Sequence, residues 1–314
     1  MKLKDIIELI QNAKHVLISA HTNPDGDAIG AMVAMGHFCN AVHIPYTILL
    51  EEEVERFKYL TDEVITATQI DSAIDTFVAL DCGDTKRLVG YEDYFTKAKK
   101  TLVIDHHVTN EHYGMYNYVL SDASSTSEII FDLLEEAKVM FNKEIGMALY
   151  TGMVTDTGGF MHSCTSSSTM KACAKLMELD FDFSTLYHQL IHEKTLQTIK
   201  LQGVAVNHLV EVQKGIYLAY ITKEEIDKLK ATKDDIDGIV SFLKSISGVE
   251  VIAFIYPLHK GNGYKLSTRS NKPYNVAAFC QQFEGGGHER AAGATLDGPI
   301  EETILKVQAA LLQL

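Results

Sequence analysis

The chain has 314 residues, 46% hydrophobic and 22% charged, a composition that excludes a disordered chain and suggests about two domains, each long enough to bury a core. Its 42 acidic and 28 basic side chains leave a formal charge of −14, which argues against coating long nucleic acid, because neutralising phosphates needs a broad basic face. A short anionic substrate stays compatible, provided that something other than Lys and Arg supplies positive charge.

The first half alternates strand-like and helix-like segments. His15–Ala20 is a short apolar run, Ala28–Asn40 has helical potential, and Ile44–Leu50, Phe77–Leu80 and Thr101–Ile104 are further runs of strand length. Such alternation predicts an α/β fold whose parallel sheet is covered by helices and collects ligands at the carboxyl ends of its strands. Ser125-Thr-Ser-Glu128 is a capping-box pattern opening a helix through Ile129, Ile130 and Leu133. Ser184 to about Val206, free of Pro, reads as one long connecting helix. Beyond it, Leu209–Val212 with Ile216–Ile221, and Val249–Pro257 with Tyr264–Thr268, bracket Gly-containing turns and read as hairpins. Helix-like segments at Lys223–Lys230, Asp235–Ser247 and Ile300–Leu312 complete a smaller C-terminal α/β domain. The expected division is a catalytic domain over 1–183, a helical connector over 184–206 and a second domain over 207–314.

Five cysteines, Cys39, Cys82, Cys164, Cys173 and Cys280, are odd in number and lack C-x-x-C spacing, so neither a disulfide framework nor a thiolate zinc site is expected. The N-terminus has no apolar leader segment, and the longest apolar run, Val251–Leu258, is too short to span a bilayer. The expectation is a cytoplasmic protein with no membrane partner.

Acids and imidazoles gather where apolar segments give way to polar ones. The first strand runs into His21-Thr-Asn-Pro-Asp-Gly-Asp27, a tight loop holding three ligand-type side chains, His21, Asp25 and Asp27. Taken alone it equally reads as a polar turn capping the next helix. An EF-hand fails, since the sixth residue from Asn23 is Ala28 and the twelfth is Ala34. Phe77–Leu80 ends in Asp81, Thr101–Ile104 ends in Asp105-His106-His107, and Asp156 follows in a Gly- and Thr-rich segment. Adjacent histidines face opposite sides of a regular strand, but just past a strand end both can turn into one cleft. His21, Asp25, Asp27, Asp81, His106 and Asp156 together carry four carboxylates, whose −4 charge two divalent cations would cancel. Oxygen and imidazole donors without thiolate favour Mn²⁺ or Mg²⁺, and the nitrogen donors favour Mn²⁺. His15, His37, His43, His188, His192 and His208 lack convergent carboxylates and read as structural.

These motifs in this order resemble the DHH phosphoesterase superfamily, and Gly285-Gly-Gly-His-Glu-Arg-Ala-Ala-Gly293 resembles the signature of its associated C-terminal domain. Size and layout are most similar to the NrnA-like bifunctional oligoribonucleases and 3′-phosphoadenosine 5′-phosphate (pAp) phosphatases. The resemblance implies one metal held by His21, Asp25 and Asp81 and a second by Asp27, Asp81, His106 and Asp156. It places His107 beside the reacting phosphate, with Asp105 orienting a histidine, and Arg269, Gly286, Gly287 and His288 on the substrate. The implied activity is two-metal hydrolysis, by an activated hydroxide, of very short RNA to 5′-mononucleotides and of pAp to AMP. Mn²⁺ would be the cofactor, two per chain, with Mg²⁺ or Co²⁺ as substitutes. Competing readings are a phosphodiesterase of the cyclic-dinucleotide pathway acting on pApA or c-di-AMP, and an inactive nucleotide-binding sensor. A homodimer through helical faces of the first domain is compatible with the pattern. Where relatives carry a basic residue soon after the phenylalanine matching Phe160, this chain has Met161-His162, a departure that bears on one phosphate contact and not on the metals.

Overall fold

The computed structural model describes the chain from Met1 to Leu314 except residues 53, 71–73, 89, 260 and 272; Lys260, within the turn of the second predicted hairpin, thus lies outside the described residues. Two compact units emerge, Met1–Glu193 and Lys194–Leu314.

The first unit is built on six strands: β1 (Val16–Ser19), β2 (Tyr46–Leu49), β3 (Thr66–Ala67), β4 (Thr76–Leu80), β5 (Lys100–Asp105) and β6 (Tyr116–Val119). They pair in parallel in the order β3-β2-β1-β4-β5-β6. The central strands are buried and mainly apolar because both faces are covered. Val16, Ile18, Val78, Leu80, Leu102 and Ile104 enter one core, while Leu17, Phe77, Ala79 and Val103 enter the other, as a two-residue side-chain period requires. Helices Gly26–Ala41, Thr126–Glu136 and Lys143–Asp156 cover the first of these faces. The strand order reverses between β1 and β4, and the crevice at the carboxyl ends of such a pair is where an open parallel sheet binds ligands.

Small residues let these helices approach closely. A Cβ on Gly30 would lie 2.3 Å from Ala148 O, and one on Gly152 would lie 1.9 Å from Ser127 Oγ and 2.7 Å from Asp27 Oδ1. Gly152→Ala is therefore expected to cost about 3 kcal/mol through overpacking and to displace the Asp27 carboxylate. Thermal melts check the cost, and a variant with wild-type stability contradicts the expectation.

The second unit contains β7 (Val210–Gln213), β8 (Ile216–Tyr220), β9 (Val251–Pro257), β10 (Tyr264–Ser270), β11 (Gly286–His288) and β12 (Ala291–Leu296) in the order β11-β12-β10-β9-β8-β7. All pairs are antiparallel except β8–β9, whose crossover carries helices Lys223–Leu229 and Ile239–Lys244. No helix among the described residues is long and apolar enough to cross a membrane.

Three local expectations are corrected. The stretch Ser184–Val206 is not one helix: Phe183–Tyr187 runs into a π-helical turn, His188–His192, and a new helix opens at Leu196. The break has a chemical cause, since Glu193 is extended and the Thr195 hydroxyl accepts from Thr198 N (2.9 Å) while donating to Asp235 Oδ1. Asp235 in turn accepts from Thr232 N (2.7 Å). So occupied, it starts no helix, and the predicted Asp235–Ser247 helix is confined to Ile239–Lys244 behind the left-handed Gly238. Finally, Ser125 caps its helix by accepting from Glu128 N, but the Glu128 carboxylate does not close the reciprocal box. It accepts instead from Ser124 N (3.0 Å), Ser124 Oγ (2.6 Å), Ser168 Oγ (2.6 Å) and Thr169 Oγ1 (2.8 Å), which fixes the start of that helix.

Candidate metal centre

Each strand on either side of the reversal hands a ligand-type residue to the crevice. His21 lies two residues past β1 and is 7% exposed. Its Nδ1 donates to Thr22 O (2.8 Å), and because a carbonyl can only accept, Nε2 is left facing Asp81 Oδ2 at 3.6 Å and Asp25 Oδ2 at 3.9 Å. Burial depresses the His21 imidazole, but the hydrogen bond toward Asp81, the Thr22 carbonyl and the nearby carboxylates outweigh it and hold it above its ordinary value.

Asp25 caps helix Gly26–Ala41, accepting from Asp27 N (3.0 Å) and Ala28 N (3.1 Å), so Asp27 sits in the first helical turn rather than in the loop. The amino end of helix Thr126–Glu136 grips the Asp27 carboxylate from both sides, with Thr126 N on Oδ2 (2.7 Å) and Ser127 N on Oδ1 (2.8 Å). Even so, near-complete burial and the charges of Asp81 and Asp156 push Asp27 well above the usual carboxylate range.

Asp81, directly after β4, is 2% exposed and adopts a left-handed backbone with φ of 50°, a strained conformation for a residue with a side chain. The turn seats its carboxylate centrally: Thr126 Oγ1 donates to Oδ1 (3.2 Å), and the Oδ1 atom lies 3.6 Å from both His106 Nε2 and His107 Nδ1. His106 Nε2 also lies 3.3 Å from Asp156 Oδ2. Asp156 is the final residue of helix Lys143–Asp156; Ile145–Tyr150 is helical, so this acid is delivered by a helix end and not by a strand end. Burial and the Asp81 charge, against the pull of His106, raise it to about 6.

Behind this cluster, Asp105 at the end of β5 is fully buried and accepts from His107 Nδ1 (2.7 Å), His106 N (2.8 Å) and Asn110 Nδ2 (2.6 Å). Those bonds outweigh burial and hold Asp105 below its ordinary value, and they raise His107 to about 8. Arg87 ties the two loops together by accepting from Thr22 N at its carbonyl (2.8 Å).

Three sets of donor atoms each lie within 4.8 Å of one another: His21, Asp25 and Asp81; Asp81, His106 and His107; and Asp27, His106 and Asp156. Asp81 joins the first two sets and His106 the last two. Among the described residues, no Lys or Arg pairs with any of the four carboxylates. Converging acids with no Lys or Arg countercharge, two of them held above their ordinary range, fit a pair of divalent cations with oxygen and nitrogen donors.

Sequence reasoning did not find what Thr126 and Ser127 do, whereas Asn110, near the metal motifs in the sequence and open to a supporting role there, donates to Asp105. The capping pattern at Ser125 marked the helix start, but nothing in it pointed to Asp27, a hundred residues away from Ser127.

The substrate candidates lie in the second unit. Arg269 on β10 and His288 on β11 both register with Ala291 on β12, and cross-strand partners share a face, so the two side chains flank Ala291 on one side of the sheet. Arg269 Nη1 donates to Thr268 O (2.9 Å). Gly286–His288 is an exposed edge strand and not a loop. Gly285 and Gly287 have packing reasons to lack a side chain, since a Cβ would lie 2.3 Å from Gly293 O or 2.6 Å from Ala291 O; Gly286 alone faces open space.

The sequence pattern of the DHH family, N-terminal domain, matches residues 15–153, and that of the DHHA1 domain matches residues 213–314. The chain is 26% identical over 298 residues to the bifunctional oligoribonuclease and PAP phosphatase NrnA of Bacillus subtilis (strain 168), covering 93% of this chain and 92% of that protein. It is 26% identical over 301 residues to the protein of the same name from Thermus thermophilus, covering 95% and 89%. Among solved structures, an exopolyphosphatase-related protein from Bacteroides fragilis superposes with a TM-score of 0.86 at 24% identity, over 99% of this chain and 95% of that one.

Proposed function

Because this chain belongs to the DHH family of phosphoesterases and carries its DHHA1 domain, we propose that it hydrolyses very short RNA to 5′-mononucleotides and pAp to AMP with two Mn²⁺ ions. The observation that carries this reading is the cluster of four carboxylates and three imidazoles, with no Lys or Arg among the described residues paired to the carboxylates, at the carboxyl ends of β1, β4 and β5 and the end of helix Lys143–Asp156. The similarity to the two oligoribonuclease and PAP phosphatase proteins over nearly the whole chain supports the substrate class.

In this reading His21, Asp25 and Asp81 hold one cation, and Asp27, His106 and Asp156, with Asp81 shared, hold the other. Bound there, divalent cations would neutralise the carboxylates, polarise phosphoryl oxygens and lower the pKa of a water. Thr126 and Ser127 orient Asp27, and the strained Asp81 turn aims its carboxylate at both sets of donors. His107 is steadied through Nδ1, which donates to Asp105. It is placed to donate to the phosphate oxygens or to the leaving oxygen. Arg269 and His288, together with the exposed backbone of Gly286 and Gly287, are assigned the phosphate and nucleoside portions of the substrate. The acidic chain suits short substrates, since long ones need a basic track.

Product analysis after incubation with Mn²⁺ tests the proposal. Diribonucleotides are expected to yield 5′-mononucleotides and pAp to yield AMP, and protein that leaves both intact overturns it. Kinetics on pApA beside these substrates separate the cyclic-dinucleotide-pathway reading, which uses the same residues.

A further inference from the structure

The loop after β4 and the loop after β5 are zipped together. Asp81 N donates to Ile104 O (3.1 Å), and Glu111 N donates to Gly83 O (2.9 Å). Between those two bonds stands Asn110, 8% exposed, with every group of its side-chain amide engaged. Its Nδ2 donates one hydrogen to Asp105 Oδ2 (2.6 Å) and the other to Cys82 O (3.2 Å), while Oδ1 accepts from His112 N (2.7 Å). These partners admit one orientation of the amide, since an ionised carboxylate and a carbonyl only accept and a backbone N–H only donates. The backbone N–H of Asn110 turns back to His107 O (3.1 Å).

Each partner of the Asn110 amide nitrogen adjoins a ligand-type residue. The other Asp105 oxygen, Oδ1, accepts from His107 Nδ1 (2.7 Å), His106 N (2.8 Å) and His107 N (3.3 Å), so one carboxylate fixes the turn that carries both histidines. Cys82 directly follows Asp81, whose left-handed backbone needs its surroundings to hold it. Cys82 O takes a second donor, the Tyr113 hydroxyl (2.9 Å), from a ring that packs on Phe95 at 5.2 Å. A carbonyl held by two side chains, one residue past the strained φ, opposes relaxation of that turn. The result is a continuous chain of contacts from the histidine turn through Asp105, Asn110 and Cys82 to Asp81. At its two ends, His106 Nε2 and Asp81 Oδ1 face each other at 3.6 Å.

We propose that Asn110, assisted by Tyr113, is a positioning residue: it brackets Asp81 to His106 so that their donor atoms are spaced for one shared divalent cation. Buried behind the cluster, it acts only through Asp105 and Cys82. This inference rests on the two-cation reading above. Groups that orient metal ligands are worth about 10- to 100-fold in metal affinity or activity.

The test measures Mn²⁺ affinity from the paramagnetic resonance signal of the free ion, below the melting temperature of each variant in chelator. Asn110→Ala is expected to bind one of its two ions about 10- to 100-fold more weakly than the wild type. It should need correspondingly more Mn²⁺ for half-maximal hydrolysis of pAp. Tyr113→Phe is expected to shift the same site in the same direction by less, because Asn110 still holds Cys82. A structural role alone would lower the melting temperature in chelator and leave the affinity of the folded protein unchanged. Wild-type affinity at both sites in folded Asn110→Ala overturns the bracket. Where that variant does not fold, wild-type affinity in Tyr113→Phe overturns it instead. A wild-type protein that binds no Mn²⁺ brings down the bracket together with the reading beneath it.

Discussion

Asp81→Asn is expected to lower hydrolysis by about three orders of magnitude or more, because it removes the carboxylate shared between donor sets. Asparagine is the appropriate replacement, since it tolerates the left-handed backbone that Asp81 adopts, whereas alanine would add strain to the lost charge. Loss of activity through misfolding is separable from loss of chemistry. Asp81 is one of the charges that push Asp27 and Asp156 above their ordinary range, so its removal relieves repulsion. The variant's melting temperature in chelator should equal or exceed that of the wild type, while the rise on adding Mn²⁺ should shrink. A variant that keeps more than about a tenth of the activity, or the full metal-induced rise, would show that Asp81 is not part of a metal site.

In chelator, the wild-type melting temperature is expected to fall as pH rises from about 4.5 to 7. Asp156 is raised from 3.8 to about 6 and Asp27 also lies well above its ordinary value, so the folded state retains protons that the unfolded chain has released. Stability is then lost as pH climbs from the unfolded value through the folded one. The Asp156 shift alone corresponds to about 3 kcal/mol. His107, raised to about 8 by Asp105, works in the same direction at the upper end of the window. Asp105 and Glu128 are held below their ordinary values and work in the opposite direction, with a contribution complete by about pH 5.5; His37, held below its ordinary value by burial, also opposes the fall toward pH 7. If the acids hold Mn²⁺ as proposed, the ion would bind them in their ionised form and should raise the melting temperature more at pH 7 than at pH 5. Asp156→Asn should flatten the chelator profile. A wild-type profile that is flat or rises across this window would mean that the acids are compensated without metal.

Most of the candidate site was legible because its residues close or follow apolar runs, Asp25 and Asp27 being marked instead by the polar turn after His21. His21, Asp81 and Asp105-His106-His107 stand at the ends of β1, β4 and β5, and a parallel sheet brings such ends to one edge. Asp156 carried a weaker mark: it ends a helix whose small residues, Gly146, Ala148 and Gly152, obscure its length in an apolar run. Strand β6, with the half-exposed sequence Tyr-Asn-Tyr-Val, and the two-residue β3 had no periodicity to read. The glycine-rich segment at 285–287 stands out as a signature in the sequence, yet two of its glycines answer to β12 packing.

What the amino-acid order determined by itself is the set of elements whose hydrophobic period is long and regular, the alternation that makes a parallel sheet, and the polar residues stationed at the element ends. These are local properties, decided by side-chain type over a few positions. Only the tertiary structure decided which distant groups meet: the amino end of helix Thr126–Glu136 on Asp27, Ser168 and Thr169 on Glu128, and Thr195 on Asp235. Each of these is a hydrogen bond made when packing brings separate segments together, and such a contact leaves no periodic trace in the chain that forms it.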